Sequence, residues 1–209
     1  MMEDEQQAQA WLRSNGVSDA AMARLEQFIG LLRLENTRQN LVSASTLDHV
    51  WRRHIVDSAQ LHRHVPRGTE CQWMDLGTGA GFPGLVIAMI RDDIRMVVVE
   101  SRRRRIEWLE RVASELKLTN FEVVGQKLEA VPTSLVDVIS ARAFAPLETL
   151  LALACRFSTK RTLWLLPKGR SAVQEVEELN GWNHTFHVEP SITDPNAGII
   201  VGRLAAGKG

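Results

Sequence analysis

Hydrophobic positions in the first seventy residues recur every three or four positions, which is typical of helices with one buried face. A helix is predicted over residues 18–34, because it begins with a serine and an aspartate, which favour helix starts. After a polar break, residues 50–61 predict another helix, which Pro66 and Gly68 end. The pattern therefore predicts a helical cap over residues 1–68 that packs on the rest of the chain.

From Cys71 onward, short apolar runs alternate with helical patterns. Strands are predicted at residues 72–76, 95–100, 121–124, 136–140 and 162–166, and helices at 84–91, 103–116, 147–156 and 171–179. This alternation is typical of βαβ units, so the predicted fold class is α/β, a doubly wound, Rossmann-like sheet. Residues 185–188 and 199–204 predict two more strands without a helix between them, giving seven strands with the last one antiparallel. This second unit covers residues 69–209.

The composition is that of an ordinary globular protein, with 44% hydrophobic and 24% charged residues and a net charge of zero. A nucleic-acid partner would therefore be held by a local basic patch. Cys71 and Cys155 fit none of the spacings that bind zinc. No run of eighteen apolar residues is present, and Met1–Gln9 is polar and acidic, unlike a secretory signal. We expect a cytoplasmic monomer that uses neither a metal ion nor a membrane.

The segment between the first predicted strand and the next helix, Asp75–Gly84, reads D-L-G-T-G-A-G-F-P-G. Glycines let the backbone turn sharply and approach a ligand, while the following helix start favours an anionic group. One alternative is a turn that only packs strand against helix. Another is a dinucleotide site, because Gly79, Gly81 and Gly84 fit G-x-G-x-x-G. The aspartate two residues before Gly77 makes the loop D-x-G-x-G-x-G, which favours S-adenosylmethionine as the cofactor and predicts Gly77 and Gly79 as cofactor-binding residues.

Glu100 ends the second predicted strand, V-V-V-E, downstream of this glycine loop. A carboxylate at such a place can accept hydrogen bonds from both ribose hydroxyls of an adenosine-containing cofactor. The alternative is a carboxylate that caps the next helix, whose first turn contains Ser101. The glycine loop upstream favours ribose binding.

Five short segments occur in one order: N-L-V-S-A at 40–44, R-R-H-I-V-D-S at 52–58, the glycine loop, S-A-R-A-F-A-P-L at 140–147 and L-P-K-G at 166–169. Together they resemble the bacterial small-subunit rRNA guanine-N7 methyltransferase G family, RsmG, also called glucose-inhibited division protein B. The resemblance covers nearly the whole chain, including the cap. It implies methylation of one guanine at N7 in 16S rRNA, near the decoding site, with S-adenosylmethionine as cofactor. The implied partner is 16S rRNA or the small ribosomal subunit.

The resemblance also implies site residues, which are matched here motif by motif. Gly77 and Phe82 lie in the first cofactor loop. Leu128 and Glu129, in the segment Q-K-L-E-A-V, flank the adenine. Arg142, just after the fourth predicted strand, is a further cofactor-site residue.

The implied reaction agrees with the absence of a recognisable acid–base pair. Guanine N7 offers a lone pair and loses no proton, so the transfer needs alignment and a surface that tolerates the new cation, not a general base. The sequence has no G-x-S-x-G elbow, no catalytic-cysteine signature and no H-E-x-x-H motif. Arg142 is predicted to lie beside the methyl group, where it orients a cofactor carboxylate or guanine O6. The alternative is a surface arginine that follows a strand.

Two cap residues, His54 and Asp57, are three positions apart on one predicted helix and share a face. They pack the cap on the glycine loop, touch RNA, or form a buried structural His–Asp pair, and the sequence leaves these alternatives open. Two roles are also open for the Phe144 ring, which either stacks on a flipped base or packs in the core.

Basic residues follow the second and fifth predicted strands, where the loops of a doubly wound sheet meet at the ligand edge. The residues predicted to contact RNA phosphates are Arg102, Arg103, Arg104 and Lys168. The alternative for the arginine run is a solvated helix start. Two other functions stay open, an RNA-binding module with a vestigial pocket and a methyltransferase for a protein or a small molecule. Against them stand the intact glycine loop and the lack of an N-P-P-Y-like motif of amine methyltransferases.

Overall fold

The structure is a computed structural model that describes residue 2 and residues 4–206. The outer ends of the two predicted units, residues 1 and 207–209, lie outside the described residues, as does residue 3. The strands in the described part are β1 (Cys71–Leu76), β2 (Ile94–Val99), β3 (Phe121–Val124), β4 (Val138–Ala141), β5 (Leu163–Lys168), β6 (Asn183–His184), β7 (His187–Pro190), β8 (Gly198–Gly202) and β9 (Leu204–Ala206).

Seven of these strands form one sheet in the order β3-β2-β1-β4-β5-β8-β7. β1 pairs parallel with both β2 and β4, and the chain order reverses between these two neighbours. β8 lies between β5 and β7 and runs antiparallel to both. The prediction of a doubly wound, seven-stranded sheet with its last strand antiparallel is therefore confirmed. Sheets of this type bind ligands at the carboxyl ends of their strands, where the order reverses.

The carboxyl-terminal strands differ from their predicted bounds. The predicted strand at 199–204 is in fact two strands, β8 in the main sheet and β9 in a separate ribbon with β6. The break falls after Gly202, where a Cβ would be only 2.7 Å from the Phe186 Cα. β6 has two residues, so it shows no alternation that a sequence pattern could reveal.

Helices cover both faces of the sheet. The α-helices in the described part are α1 (Glu5–Ser14), α2 (Asp19–Asn36), α3 (Ala44–Leu47), α4 (Asp57–Ala59), α5 (Gly84–Ile90), α6 (Arg103–Glu115), α7 (Leu147–Ala154) and α8 (Ala172–Glu177). The helix start predicted at residue 18 is confirmed, because the Ser18 side chain caps α2 by accepting a hydrogen bond from the amide of Ala21. No helix in the described ranges is long and apolar enough to cross a membrane.

The amino-terminal helices share one hydrophobic core with a face of the sheet. Leu25 and Phe28 of α2 are fully buried in the same cluster as α5 and α6 residues. The helix predicted at 50–61 is a π-helical turn, Trp51–Val56, followed by α4 and a 3-10 turn, Gln60–His64. Such π turns often occur at functional sites. The division of the chain at residue 68 stays a prediction.

Candidate active site

The glycine loop that follows β1 is held by a fully buried aspartate. Asp75 Oδ2 accepts a hydrogen bond from the Gly84 amide at 3.0 Å, and Oδ1 accepts one from the Ser140 hydroxyl at 2.7 Å. Trp73 Nε1 donates to the same Ser140 oxygen at 2.8 Å. Burial raises the pKa of Asp75 to about 6, although the hydrogen bonds that it accepts act in the opposite direction. The role of Asp75 is therefore to fix the loop between β1, β4 and α5.

Glu100 accepts hydrogen bonds from three main-chain amides, one in the glycine loop and two in the residues that directly follow Glu100. Its carboxylate accepts from the amides of Gly79 (3.1 Å), Ser101 (2.9 Å) and Arg102 (2.9 Å). The Arg102 guanidinium also donates to both oxygens, each at 3.2 Å. Burial alone would raise the pKa of Glu100, but the hydrogen bonds and charge of Arg102 outweigh it and lower that pKa. Glu100 thus carries a negative charge. Its carboxylate binds the two amides that precede α6 and the Gly79 amide of the glycine loop.

A cavity of about 300 Å³ lies beside Glu100, and we call it the small cavity. It is lined by Gly77, Val99, Glu100, Ser101, Arg102, Gln126, Leu128, Ala143 and Phe144. At Gly77 (φ +64°) a Cβ would be 2.5 Å from the Phe144 ring, so the position excludes any side chain. At Gly79 (φ +61°) a Cβ would have more room, with its nearest neighbour 3.6 Å away on Arg102.

The small cavity has the features that S-adenosylmethionine requires. Glu100 offers charged acceptors for a ribose diol, and Gly77 lines the same cavity with main chain alone. Leu128 is buried and supplies an apolar wall for an adenine ring. These residues fit the cofactor.

A second and larger space, of about 850 Å³, lies on the other side of the segment after β4; we call it the large cleft. Its walls come from the cap (Thr46, His54, Asp57), the segment 142–146, the end of β5 and the loop 191–199. Ala143 and Phe144 line both spaces, so the small cavity and the large cleft share a wall.

Arg142 lies at this shared wall, in contact with both the glycine loop and the cap. Its guanidinium carbon is 4.9 Å from the centre of the Phe82 ring, and its Nη1 donates to Asp57 Oδ2 at 3.4 Å. His54 stacks on the same Phe82 ring with the centres 4.9 Å apart. Of the alternatives for these two cap residues, His54 therefore packs the cap on the glycine loop, while Asp57 pairs with Arg142 and faces the large cleft.

The charge state of His54 follows from its surroundings. Burial, and then the charges of Arg142 and Arg53, lower the pKa of His54 to about 3. Its Nε2 lies 2.7 Å from Thr46 Oγ1, whose own proton is donated to the Ser43 carbonyl. The imidazole is therefore neutral at physiological pH and donates through Nε2 to Thr46.

The predicted cofactor residues are placed in several different environments. Gly79 lies beside the small cavity, where its amide donates to Glu100. Gly77, Glu100 and Leu128 line the small cavity, whereas Arg142 lines the large cleft. The Phe82 side chain is 1% exposed and packs in the core, and Glu129 is exposed outside the lining of the small cavity. The direct cofactor roles of these residues stay predictions.

The basic residues predicted to contact RNA do not form one continuous rim. Arg102 folds onto Glu100, while Arg103 and Arg104 are exposed on the first turn of α6. The Lys168 side chain is only 9% exposed, because its ammonium donates to the Ala145 carbonyl and to Glu175, each at 2.8 Å. Lys168 therefore holds the segment after β4 in place, and its predicted contact with RNA phosphate stays a prediction.

Solved structures of other proteins share this fold. An S-adenosylmethionine-dependent methyltransferase from Aquifex aeolicus is 14% identical and aligns over 82% of this chain and 98% of its own, with a TM-score of 0.58. A mutant of MtNAS in complex with S-adenosylmethionine is 16% identical and aligns over 97% and 84%, with a TM-score of 0.59. These likenesses show the fold, a Rossmann-like sheet of the methyltransferase type.

Sequence relatives define the family. The model of rRNA small subunit methyltransferase G (GidB) matches residues 21–193. The ribosomal RNA small subunit methyltransferase G of Novosphingobium aromaticivorans is 58% identical over 98% of this chain and 90% of its own. The protein of the same name from Erythrobacter litoralis is 52% identical over 97% and 98%. The chain belongs to the rRNA small subunit methyltransferase G family, which confirms the predicted S-adenosylmethionine-dependent rRNA methyltransferase.

Proposed function

We propose that this protein transfers a methyl group from S-adenosylmethionine to N7 of one guanine in 16S rRNA, near the decoding site. The observation that carries the proposal is the wall that the small cavity and the large cleft share at Ala143 and Phe144. A methyl donor and its acceptor have to meet in line at short distance. A cofactor cavity next to a cleft that is large enough for a nucleobase fits this requirement.

On the cofactor side, Glu100 accepts hydrogen bonds from the ribose hydroxyls, and Leu128 packs against the adenine. S-adenosylmethionine supplies a methyl group on a sulfonium, which becomes a neutral thioether when the methyl group leaves. In the structure, the Arg102 guanidinium donates to both Glu100 oxygens. Arg102 therefore has to release them when the ribose binds.

On the acceptor side, the residues position the base and do not remove a proton. His54 is neutral and its Nε2 is hydrogen-bonded to Thr46, so it is not needed as a proton acceptor. Arg142 has N–H groups that can hold guanine O6, the atom next to N7 on the base. The role proposed for Arg142 is therefore orientation of the guanine.

The RNA partner is 16S rRNA, alone or in the small subunit, and it binds a protein monomer in the cytoplasm without a metal ion. The exposed side chains of Arg103 and Arg104 supply positive charge for phosphates. Residues of the cap and residues of the sheet unit both line the large cleft. RNA that enters the cleft therefore contacts both units.

Mass spectrometry of nucleosides from 16S rRNA tests this proposal. Cells that lack the protein are expected to lose a 7-methylguanosine from 16S rRNA, and the wild-type gene restores it. Purified protein with S-adenosylmethionine is expected to restore the same nucleoside in rRNA or in subunits from the deficient cells. Unchanged 7-methylguanosine in 16S rRNA of the deficient cells would contradict the proposal.

A further inference from the structure

Asp57 and Arg142 form an ion pair in the large cleft, beside the glycine loop. Their closest atoms, Arg142 Nη1 and Asp57 Oδ2, are 3.4 Å apart, which is long for a charge-assisted hydrogen bond. The Asp57 side chain is 20% exposed and the Arg142 side chain is 25% exposed, so a ligand in the cleft can reach both. The pair therefore presents a donor group next to an acceptor group, joined by a contact that a ligand can replace.

Asp57 is fixed through one of its two oxygens. Oδ1 accepts from the Thr193 hydroxyl at 2.9 Å and from Gln60 Nε2 at 3.2 Å. Gln60 Oε1 accepts from the Ile192 amide at 3.0 Å, which ties the helical turn to the loop 191–199. Among the described residues, Arg142 is the single hydrogen-bond donor to Oδ2. Oδ2 thus keeps acceptor capacity in a side chain that is already oriented.

Arg142 is oriented by stacking rather than by hydrogen bonds. Its guanidinium lies on the Phe82 ring, which the neutral His54 ring also contacts. Within the described part of the chain, Asp57 is its single hydrogen-bond acceptor. Most of the five guanidinium N–H groups are therefore available to a ligand.

We propose that Asp57 and Arg142 together recognise the Watson–Crick edge of the target guanine, an inference that rests on the proposed function. Arg142 donates to O6, and Asp57 accepts from N1–H and from the N2 amino group. Adenine has an amino group in place of O6 and a bare acceptor at N1, so it would leave both residues without their partners.

The position of Asp57 also keeps N7 accessible. An arginine that binds guanine alone commonly holds O6 and N7 together, which would cover the nucleophile. Because Asp57 holds the N1 side of the base, Arg142 meets O6 from that side and leaves N7 open. The pair therefore selects the base and its orientation at once.

The same contacts favour the transition state. Methylation at N7 places a positive charge on the base and makes N1–H more acidic, so its hydrogen bond to Asp57 strengthens during the transfer. The carboxylate also offsets the repulsion between the new cation and Arg142. Asp57 therefore affects the rate of the chemical step as well as the choice of base.

Single-turnover methylation of 16S rRNA with guanosine or inosine at the target position tests the inference, since inosine lacks only the N2 amino group. Wild-type protein is expected to methylate the inosine RNA about tenfold to a hundredfold more slowly. Asp57→Asn is expected to slow the guanosine reaction by a similar factor and to treat both RNAs nearly alike. Asp92→Asn removes an exposed carboxylate that lines neither the large cleft nor the small cavity, and it is expected to keep both the rate and the preference.

Titration with S-adenosylhomocysteine controls for folding, because Asp57 does not line the small cavity. A wild-type preference for guanosine in Asp57→Asn would overturn this inference and leave the proposed function intact. Equal wild-type rates on both RNAs would also overturn it, without depending on how well a variant folds. A wild-type reaction that yields no 7-methylguanosine would overturn the proposed function itself.

Discussion

The small cavity and the large cleft are constructed in different ways. The small cavity is formed largely by segments that directly follow neighbouring parallel strands, and Glu100 holds its backbone through main-chain amides. The large cleft joins cap residues, the segment after β4 and the loop 191–199, which are far apart in the sequence. In the proposed function, cofactor binding therefore depends on backbone geometry, and acceptor binding depends on side chains that several elements bring together. Substitutions in the two regions are expected to have different effects.

The largest effect is expected in the glycine loop beside the small cavity, at Gly79, whose amide donates to Glu100. A valine there would have a β-branched side chain at φ +61° and would extend from backbone that the cofactor has to approach. We expect Gly79→Val to abolish binding of S-adenosylhomocysteine and to reduce the free energy of unfolding by only about 1–3 kcal/mol. Isothermal titration and thermal denaturation measure the two quantities separately.

Gly30→Ala is the matched control for a change at a glycine. Gly30 lies in α2, and no atom is within 4 Å of the place where its Cβ would be. The variant is expected to bind as the wild type does and to be more stable by up to about 1 kcal/mol. Retained cofactor affinity in Gly79→Val would show that backbone approach at this loop is not required.

The next largest effect is expected in the large cleft, at Arg142. Arg142→Ala should raise the barrier to methyl transfer by about 2–4 kcal/mol, because the acceptor base loses its orientation. Arg142→Lys should recover only part of the rate, since lysine keeps the charge and lacks the planar fork. Single-turnover rates with saturating cofactor check both variants.

Binding of S-adenosylhomocysteine distinguishes the two roles predicted for Arg142. The residue lines the large cleft and not the small cavity, so cofactor affinity is expected to change little in Arg142→Ala. A loss of cofactor affinity that matches the loss of rate would assign Arg142 to the cofactor side instead.

A smaller effect is expected outside both spaces, at Arg103 and Arg104. Reversing both charges to glutamate should weaken RNA binding and reduce the slope of log affinity against log salt by about two. Cofactor affinity should stay unchanged, because neither residue lines the small cavity. Arg95→Glu is a control, since Arg95 is exposed near the opposite end of β2. An unaltered salt slope in the double variant would identify these arginines as an ordinary solvated helix start.

The smallest effect is expected from pH. Because N7 has no proton to lose, the single-turnover rate should vary little between about pH 6.5 and 8.5. His54 stays neutral throughout this range, since its pKa is about 3. In the unfolded chain, His54 has its ordinary pKa of about 6.5. As the pH falls below this value, the unfolded state binds a proton that the folded state does not, so the free energy of unfolding decreases. The pH range of the rate measurement should therefore start at about 6.5. A rate that climbs tenfold per pH unit through neutrality would indicate an acceptor that has to be deprotonated.

The cofactor side could be predicted from the sequence because its determinants are contiguous. The glycine loop follows a buried apolar strand, and Glu100 ends the next one, so spacing alone places both at one edge of the sheet. The Ser18 cap and the alternation of strands and helices are local signals of the same kind. Phe82 differs, since a position in the loop does not reveal that its ring lies in the core.

The acceptor side could be predicted only in part, because its contacts are long-range. Asp57 and Thr193 are 136 positions apart, and no periodicity connects them. Charge alone predicts an exposed Lys168, yet Glu175 accepts from it inside the fold. A charged residue near a strand end is solvated or paired according to neighbours that the local sequence does not specify.

The shared core of the cap and the sheet limits how this enzyme can change in evolution. Phe28 of α2 lies with its ring centre 5.6 Å from that of Phe82 and 6.2 Å from that of Trp108, so a cap helix packs on the glycine loop and on α6 alike. A different cap could not be exchanged for this one without rebuilding the support of the loop. Descendants of this protein that acquire a new acceptor are therefore expected to alter the loops after the strands and to inherit cap and sheet as one unit.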